Sequence, residues 1–135
     1  MSRPAPTLMI GDVCAAVHNN GFQRTIRHVG TLQRFDARGF AIFPGGPFKR
    51  TDHRYGSNEW RCTTDSKTTL QPASDADIDE WNANLRRAAI GSIGRQESEY
   101  GRPVLTDAQV SAIYDAAVGC GAVQPVALIV RVGDV

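Results

Sequence analysis

The chain has 135 residues, of which 41% are hydrophobic and 21% charged, values that fit a globular protein with one modest core rather than a disordered chain. Its longest clean apolar run, residues 125–130, is far shorter than the about 20 residues of a membrane helix. Since no signal-like apolar stretch precedes Gly11 either, we expect a cytoplasmic protein with no membrane partner.

The cysteines are widely spaced, and none of them has a CxxC partner. Their positions are Cys14, Cys62 and Cys120. An odd number at such spacings does not indicate a disulfide framework and favours a reducing compartment. We therefore expect three free thiols, with Cys14 and Cys62 buried as small apolar residues.

Charge is distributed unevenly along the chain. Residues 1–72 carry ten Lys/Arg and five Asp/Glu, a balance of +5, whereas residues 73–135 carry five Arg and nine Asp/Glu, a balance of −4. This asymmetry predicts that the two parts present different surfaces, suited to different partners.

The basic part predicts a succession of short strands after a flexible tail at residues 1–9. Turn chemistry at residues 19–21 (Asn-Asn-Gly) and 36–39 predicts two hairpin connections. Two prolines in residues 44–47 end a strand, because proline cannot donate to a ladder, and the polar, basic residues 48–58 predict a loop. The predicted strands are residues 12–17, 25–35, 40–43, 59–62 and 68–70.

Five short strands would expose their edges unless the sheet curled, which favours a small closed or half-closed barrel. Three segments carry a resemblance: Ile10-Gly11-Asp12, Val29-Gly30-Thr31-Leu32 and Thr69-Leu70-Gln71-Pro72-Ala73. Through them, residues 10–73 resemble an SH3-like barrel of the KOW or Tudor type. The resemblance implies a fold style and no single activity, since that family includes nucleic-acid binders, peptide binders and structural modules. The long insertion at residues 44–58 departs from its compact members.

After residue 73 the hydrophobic period becomes helical. Ser74 suits an N-cap, and the acids that follow it suit the positive end of a helix dipole. A helix over residues 75–95 would place Trp81 and Leu85 in the core. Thr106 and Gln109 form a capping-box pattern at the start of a second helix, residues 106–118.

The β-branched residues 126–132 predict a final strand that returns to the barrel sheet or pairs with another copy of the chain. The predicted class is therefore α+β. A barrel at residues 10–73 precedes a helical extension with a final strand at residues 74–135.

Two parts of the sequence match metal-binding motifs only partly. Asp75-x-Asp77-x-Asp79 resembles the start of a calcium loop, yet Glu80 stands where glycine is needed and Arg86 where glutamate is needed. Cys14 and His18 could share a strand face, but two ligands do not make a structural zinc site. We expect no metal and no cofactor.

Motifs of catalysis and phosphate binding do not occur: GxSxG, GxGxxG and GxxxxGK[ST] are all missing. Nucleophilic catalysis needs a nucleophile, a base and an orienting group, and no local signature brings such residues together. We predict that the protein is not an enzyme.

Basic and aromatic residues interleave in the first part of the chain, and nucleic-acid surfaces need cations for phosphates and flat rings for bases. The predicted ligand-binding residues are Arg24, Arg27, Arg34, Arg38, Lys49, Arg50, Arg54 and Tyr55. The wider set includes Phe22, Phe35, Phe40, Phe48, Trp60 and Arg61. In the alternative interpretation the aromatic side chains fill the barrel while the arginines solvate its outside.

These patterns predict a non-enzymatic binding module for an anionic partner, with nucleic acid ahead of a nucleotide-like ligand. The alternative is a small accessory or inhibitor protein, of the kind that phages and plasmids carry, which binds a partner protein or sequesters a nucleotide-like ligand. Homo-oligomers could form through the final strand.

Overall fold

A computed structural model describes residues 7–51 and 59–130. The chain divides into two compact units, Met1–Asp77 and Ile78–Val135, which we call the sheet unit and the helical unit. The strands are β1 (Val13–Asn19), β2 (Arg24–Thr31), β3 (Arg34–Phe35), β4 (Ala41–Ile42), β5 (Phe48–Thr51), β6 (Glu59–Cys62) and β7 (Thr68–Pro72). The helices are α1 (Asp75–Ala89), the 3₁₀-helix Gly91–Arg95 and α2 (Asp107–Gly119).

The seven strands form one antiparallel sheet in the order β2-β1-β7-β6-β5-β4-β3. Together with the two α-helices, this sheet confirms the α+β class. The edge strands β2 and β3 are consecutive in sequence, with only Leu32 and Gln33 between them. No ladder joins β2 to β3 in the described residues, so the hydrogen-bond pattern is that of an open sheet and not of a closed barrel.

Two strand assignments from sequence were wrong. Residues 48–51 were predicted as loop, yet they form β5, because the fully buried Phe48 anchors a strand opposite Ala41 and Cys62. The single strand predicted over residues 25–35 is instead two strands. Leu32 lies between these two strands and outside the β1–β2 ladder. Its N–H donates to Asp12 O, just before β1, at 2.8 Å.

The predicted turns are confirmed because each is closed by its own side chain. Asn20 Oδ1 accepts from the Gln23 N–H at 2.8 Å in the β1–β2 hairpin. Asp36 Oδ1 accepts from the Arg38 and Phe40 N–H groups at 2.9 and 3.0 Å in the β3–β4 hairpin.

One face of the sheet carries the hydrophobic core. β6 alternates cleanly, with Trp60 and Cys62 buried and the residues between and before them half-buried. The core cluster contains Leu8, Cys14, Ala16, Leu32, Ala41, Phe43, Phe48, Trp60, Cys62 and Leu70, with Phe35 packed against it. Leu8 belongs to this cluster although it lies within the predicted tail. Residues 1–6 of that tail lie outside the described residues.

Both helix starts carry the side-chain caps that the sequence predicts. Ser74 Oγ accepts from the Asp77 N–H at 3.1 Å, and Asp77 Oδ2 accepts from the Ser74 N–H at 3.1 Å. Thr106 and Gln109 form a complete capping box. The first helix is shorter than the predicted residues 75–95, because α1 ends at Ala89 and Gly91 (φ 83°) starts a separate 3₁₀ turn.

In the helical unit, side chains hold the connecting segments to the helices. The Arg87 guanidinium donates to Gly94 O at 3.2 Å, Leu105 O at 3.0 Å and Asp107 Oδ1 at 2.6 Å. The predicted burial of Trp81 and Leu85 was too deep, since both are half-buried, whereas Ile78 is only 4% exposed.

The predicted final strand is not formed over residues 126–130; residues 131–132 lie outside the described part of the chain. Side chains bond to this segment in place of a ladder. Asn82 Nδ2 donates to Ile129 O and Asn82 Oδ1 accepts from the Ile129 N–H, both at 2.8 Å. Tyr114 Oη accepts from the Val126 N–H at 2.9 Å. The described residues therefore offer no terminal strand through which copies could pair.

Candidate anion-binding surface

The face of the sheet opposite the core gathers cations around one aromatic ring. Lys49 on β5 is paired in register with Arg61 on β6, and Ala41 is paired with Phe48, which puts Phe40 beside Lys49. Because side chains alternate along a strand, Phe40, Lys49 and Arg61 all point away from the buried Ala41, Phe48 and Cys62. The strand register therefore places the side chains of Phe40, Lys49 and Arg61 in one row across β5 and β6, starting just before β4.

Two further arginines lie on the same face. Arg34 on β3 is paired with Ile42, which has the parity of Phe40 and not that of Ala41. Arg38 lies in the β3–β4 turn, with its Cζ 4.2 Å from the centroid of the Phe40 ring. Lys49 Nζ lies 6.0 Å from the same centroid. We call Arg34, Arg38, Phe40, Lys49 and Arg61 the outer-face cluster.

Acidic residues neutralise only part of this cluster. Asp36 pairs with Arg38 at 2.8 Å, and Glu59 pairs with Arg61, two residues away on the same strand face. Arg34 and Lys49 form no ion pair with a described residue. The outer-face cluster thus retains two exposed, uncompensated positive charges.

Asp36 is ionised under ordinary conditions. Loss of solvent opposes ionisation, but hydrogen bonds from the Arg38 side chain and from the Phe40 and Arg38 N–H groups outweigh it. They hold the pKa of the Asp36 carboxyl below its usual range. The carboxylate fixes Arg38 over the Phe40 ring, an arrangement that the ring's negative face favours.

The other predicted ligand residues are distributed elsewhere. Arg24 on β2 pairs with the buried Asp77 at 3.0 Å. Arg27 is the extra residue of a β-bulge, since Ala16 pairs with His28 and Val17 with Ile26. Both arginines lie on β2, which β1 and β7 separate within the sheet from β6, the nearest strand of the cluster.

Arg50 is exposed but opposes Trp60, so it belongs to the core-bearing side of β5. Arg54 and Tyr55 lie outside the described residues. Of the predicted ligand residues, the structure therefore brings together Arg34, Arg38 and Lys49. It adds Phe40 and Arg61 from the wider basic and aromatic set.

Sequence reasoning missed the charge partners of the cluster. The signal was present locally, because Asp36 and Glu59 each stand two residues before an arginine. On a strand such a spacing puts two side chains on one face, and in a turn it lets a carboxylate reach forward to the next residues.

Cys14 and His18 on β1 are both engaged by neighbouring groups of the sheet unit. Burial and the negative charge of Asp12 raise the pKa of the Cys14 thiol to about 11. His18 Nδ1 lies 3.1 Å from Asp65 Oδ2 and 3.0 Å from Thr68 Oγ1, and the Thr68 residue is only 5% exposed. The Thr68 hydroxyl donates to Asp65 at 2.8 Å, which closes the turn before β7.

A separate cleft of about 420 Å³ lies in the helical unit. Asn84, Arg87, Arg95 and Glu97 are among the residues that line it. Arg87 is already bonded to two carbonyls and to Asp107, and Glu97 adds a negative charge to the lining. This cleft is less suited to an anion than the outer-face cluster.

The described ranges contain neither a metal-ligand cluster nor a membrane span. No group of three or more His, Cys, Asp or Glu side chains within residues 7–51 and 59–130 could hold a metal ion. No helix in that same part of the chain is long and apolar enough to cross a membrane.

No protein-family model, curated protein or solved structure matches this chain. The function proposed below is therefore argued from the geometry of its own residues.

Proposed function

We propose that the sheet unit is a non-enzymatic binding module for nucleic acid and that the outer-face cluster is its contact surface. The observation that carries this proposal is the row Phe40–Lys49–Arg61, with Arg38 over the ring. Cations neutralise phosphates, and the planar Arg38 guanidinium, which lies over the Phe40 ring, offers a flat group on which a base can stack.

Nucleic acid suits this surface better than a single nucleotide does. The cluster extends from β3 to β6, which is three strand spacings or about 14 Å. Its uncompensated cations, Arg34 and Lys49, are both exposed, so they can contact successive phosphates of a chain. A nucleotide-binding pocket would instead converge polar groups on one enclosed volume.

We also propose that the sheet is curled into a half-closed barrel of SH3-like style. A flat seven-stranded sheet would hold β2 and β3 about 29 Å apart, whereas the chain from Thr31 to Arg34 can extend only about 10 Å. Core residues from β1 and β4 to β7 on one face support the same curvature. Such curvature makes the outer-face cluster convex and accessible.

Titration of the protein into labelled single-stranded DNA, duplex DNA, RNA and ATP tests the proposal, with fluorescence anisotropy measured at about 50 mM and about 200 mM salt. Two phosphate contacts predict a log–log salt slope of about −1.4 to −1.8. If the protein binds only ATP, at a saturable site and with a shallower salt slope, the ligand is nucleotide-like and not nucleic acid.

Absence of salt-sensitive affinity for DNA or RNA at micromolar protein would contradict the proposal. Retention of a partner protein from nuclease-treated lysate would then support the accessory or inhibitor function.

A further inference from the structure

The tip of the β1–β2 hairpin presents a phenylalanine that packs against no other part of the described chain. Phe22 is 101% exposed, the largest exposure among the large hydrophobic residues of the described chain. The other phenylalanines are covered: Phe43 and Phe48 lie in the core, Phe35 packs against it, and Arg38 lies over Phe40. Phe22 therefore departs from the role that its residue type has elsewhere in this chain.

Folding of the tip does not require this ring. Asn19 Oδ1 accepts from the Gly21 N–H at 3.0 Å, and Asn20 Oδ1 accepts from the Phe22 and Gln23 N–H groups at 3.3 and 2.8 Å. Gly21 takes the positive φ of 94° that a side chain would disfavour. These bonds order the turn with the Phe22 side chain directed to solvent.

Within the described residues, one uncompensated cation, Lys67, and one ion-paired arginine, Arg24, flank the tip. The Asn19 N–H donates to Lys67 O at 2.9 Å, which brings the β6–β7 turn, with its exposed Lys67, beside the hairpin. Arg24 follows the tip on β2 with its side chain 44% exposed. The nearby carboxylates are already engaged, since Asp65 contacts His18 and Asp77 pairs with Arg24.

We propose that Phe22 is a stacking platform for an unpaired base of single-stranded nucleic acid and that Lys67 contacts a neighbouring phosphate. This inference rests on the proposed function and narrows its ligand to single strands. A free aromatic face stacks on any base with little sequence preference. A base inside a duplex offers no such face without being unstacked.

The test compares Phe22→Ala, Phe22→Trp and the control Ile10→Ala, which truncates another exposed apolar side chain of the sheet unit. Anisotropy titrations use labelled oligothymidylate and a duplex of equal length. Phe22→Ala should weaken oligothymidylate binding by about 5- to 150-fold with an unchanged salt slope, because no charge is removed. Phe22→Trp should bind as wild type does, and its new indole fluorescence should be quenched on binding.

Ile10→Ala should leave binding unchanged, and the two Phe22 variants should melt as wild type does because Phe22 buries no surface. Lys67→Gln should reduce the slope by about 0.7, one single-strand phosphate contact. Two results would overturn the stacking role and leave the outer-face proposal standing. In the first, Phe22→Ala binds oligothymidylate as tightly as wild type does. In the second, Phe22→Ala weakens binding to the duplex as much as binding to oligothymidylate.

If wild type binds neither the oligothymidylate nor the duplex, both proposals are overturned. Sedimentation with phosphatidylserine vesicles gives a further outcome. If wild type sediments with them and Phe22→Ala does not, the tip binds a lipid surface and the stacking role is overturned.

Discussion

Arg24 Nη1 lies 3.0 Å from Oδ1 of Asp77, whose side chain is only 5% exposed. The other carboxylate oxygen of Asp77 accepts the Ser74 N–H, so one acid both caps α1 and binds β2. Arg24 therefore has a structural partner, which distinguishes it from Arg34 and Lys49 on the outer face.

Arg24→Ala should destabilise the protein by about 1–3 kcal/mol, because it leaves a buried carboxylate without its charged partner. Urea unfolding followed by circular dichroism measures the effect. Arg27→Ala is the matched control on the same strand, and as a change at an exposed bulge it should stay within about 0.5 kcal/mol of wild type. Equal effects of the two substitutions would show that the ion pair contributes nothing.

Acid should weaken the fold through Asp77. Burial opposes its ionisation, but hydrogen bonds from Arg24 and Ser74 and the Arg24 charge hold the pKa of the carboxyl below its usual range. A depressed folded pKa gives stability that is present above the unfolded pKa, near 3.9, and is lost as the pH falls through the folded pKa.

Asp77→Asn should accordingly be less stable than wild type at neutral pH, and the gap should narrow as the pH falls below about 4. Urea midpoints measured from about pH 6 to about pH 2 test this dependence. A gap that stays constant over that range would contradict the assigned role of the charge.

Asn82 should hold the segment that follows α2. Its amide makes two 2.8 Å bonds to the backbone of Ile129, so Asn82→Ala should cost about 1–3 kcal/mol and should speed hydrogen exchange at the Ile129 amide. Mass-spectrometric or NMR exchange measures it, with Asn84→Ala, an exposed change on the same helix, as the control. Unchanged protection of Ile129 would mean that the segment is held by other contacts.

Elements set by nearby residues could be predicted from the sequence. The turns closed by Asn20 and Asp36 and the caps at Ser74 and Thr106 each use a side chain within about four residues of its backbone partner. Neighbouring residues in the sequence are therefore enough to predict these turns and caps, and each of them forms where it was expected.

Elements set by distant pairing could not be predicted in the same way. β5 contains one apolar residue, Phe48, among polar ones, so it resembles a loop until β4 and β6 pair with it. Residues 126–130 have β-branched composition, yet Asn82 and Tyr114 bond to their backbone in place of a strand. Propensity gave the wrong element there because tertiary partners decide it.

The candidate surface was predictable in composition but not in membership. The number of arginines and lysines does not say which of them share a face, because that depends on strand register. Register places Lys49 beside Arg61, and it places Arg50 on the opposite side. The pairing of Arg24 with Asp77 joins two distant parts of the chain, which no local pattern indicates.

The salt dependence of binding by the double variant Arg34→Gln/Lys49→Gln tests the central claim most directly. Both residues are exposed on the outer face, so the variant should fold normally, bind single-stranded DNA more weakly and lose about 1.4 from the magnitude of its log–log salt slope. The control Arg95→Gln/Arg102→Gln removes two exposed cations from the helical unit and should keep the wild-type slope. Equal slopes for wild type and the outer-face variant, or equal losses in both double variants, would contradict the assignment of binding to this surface.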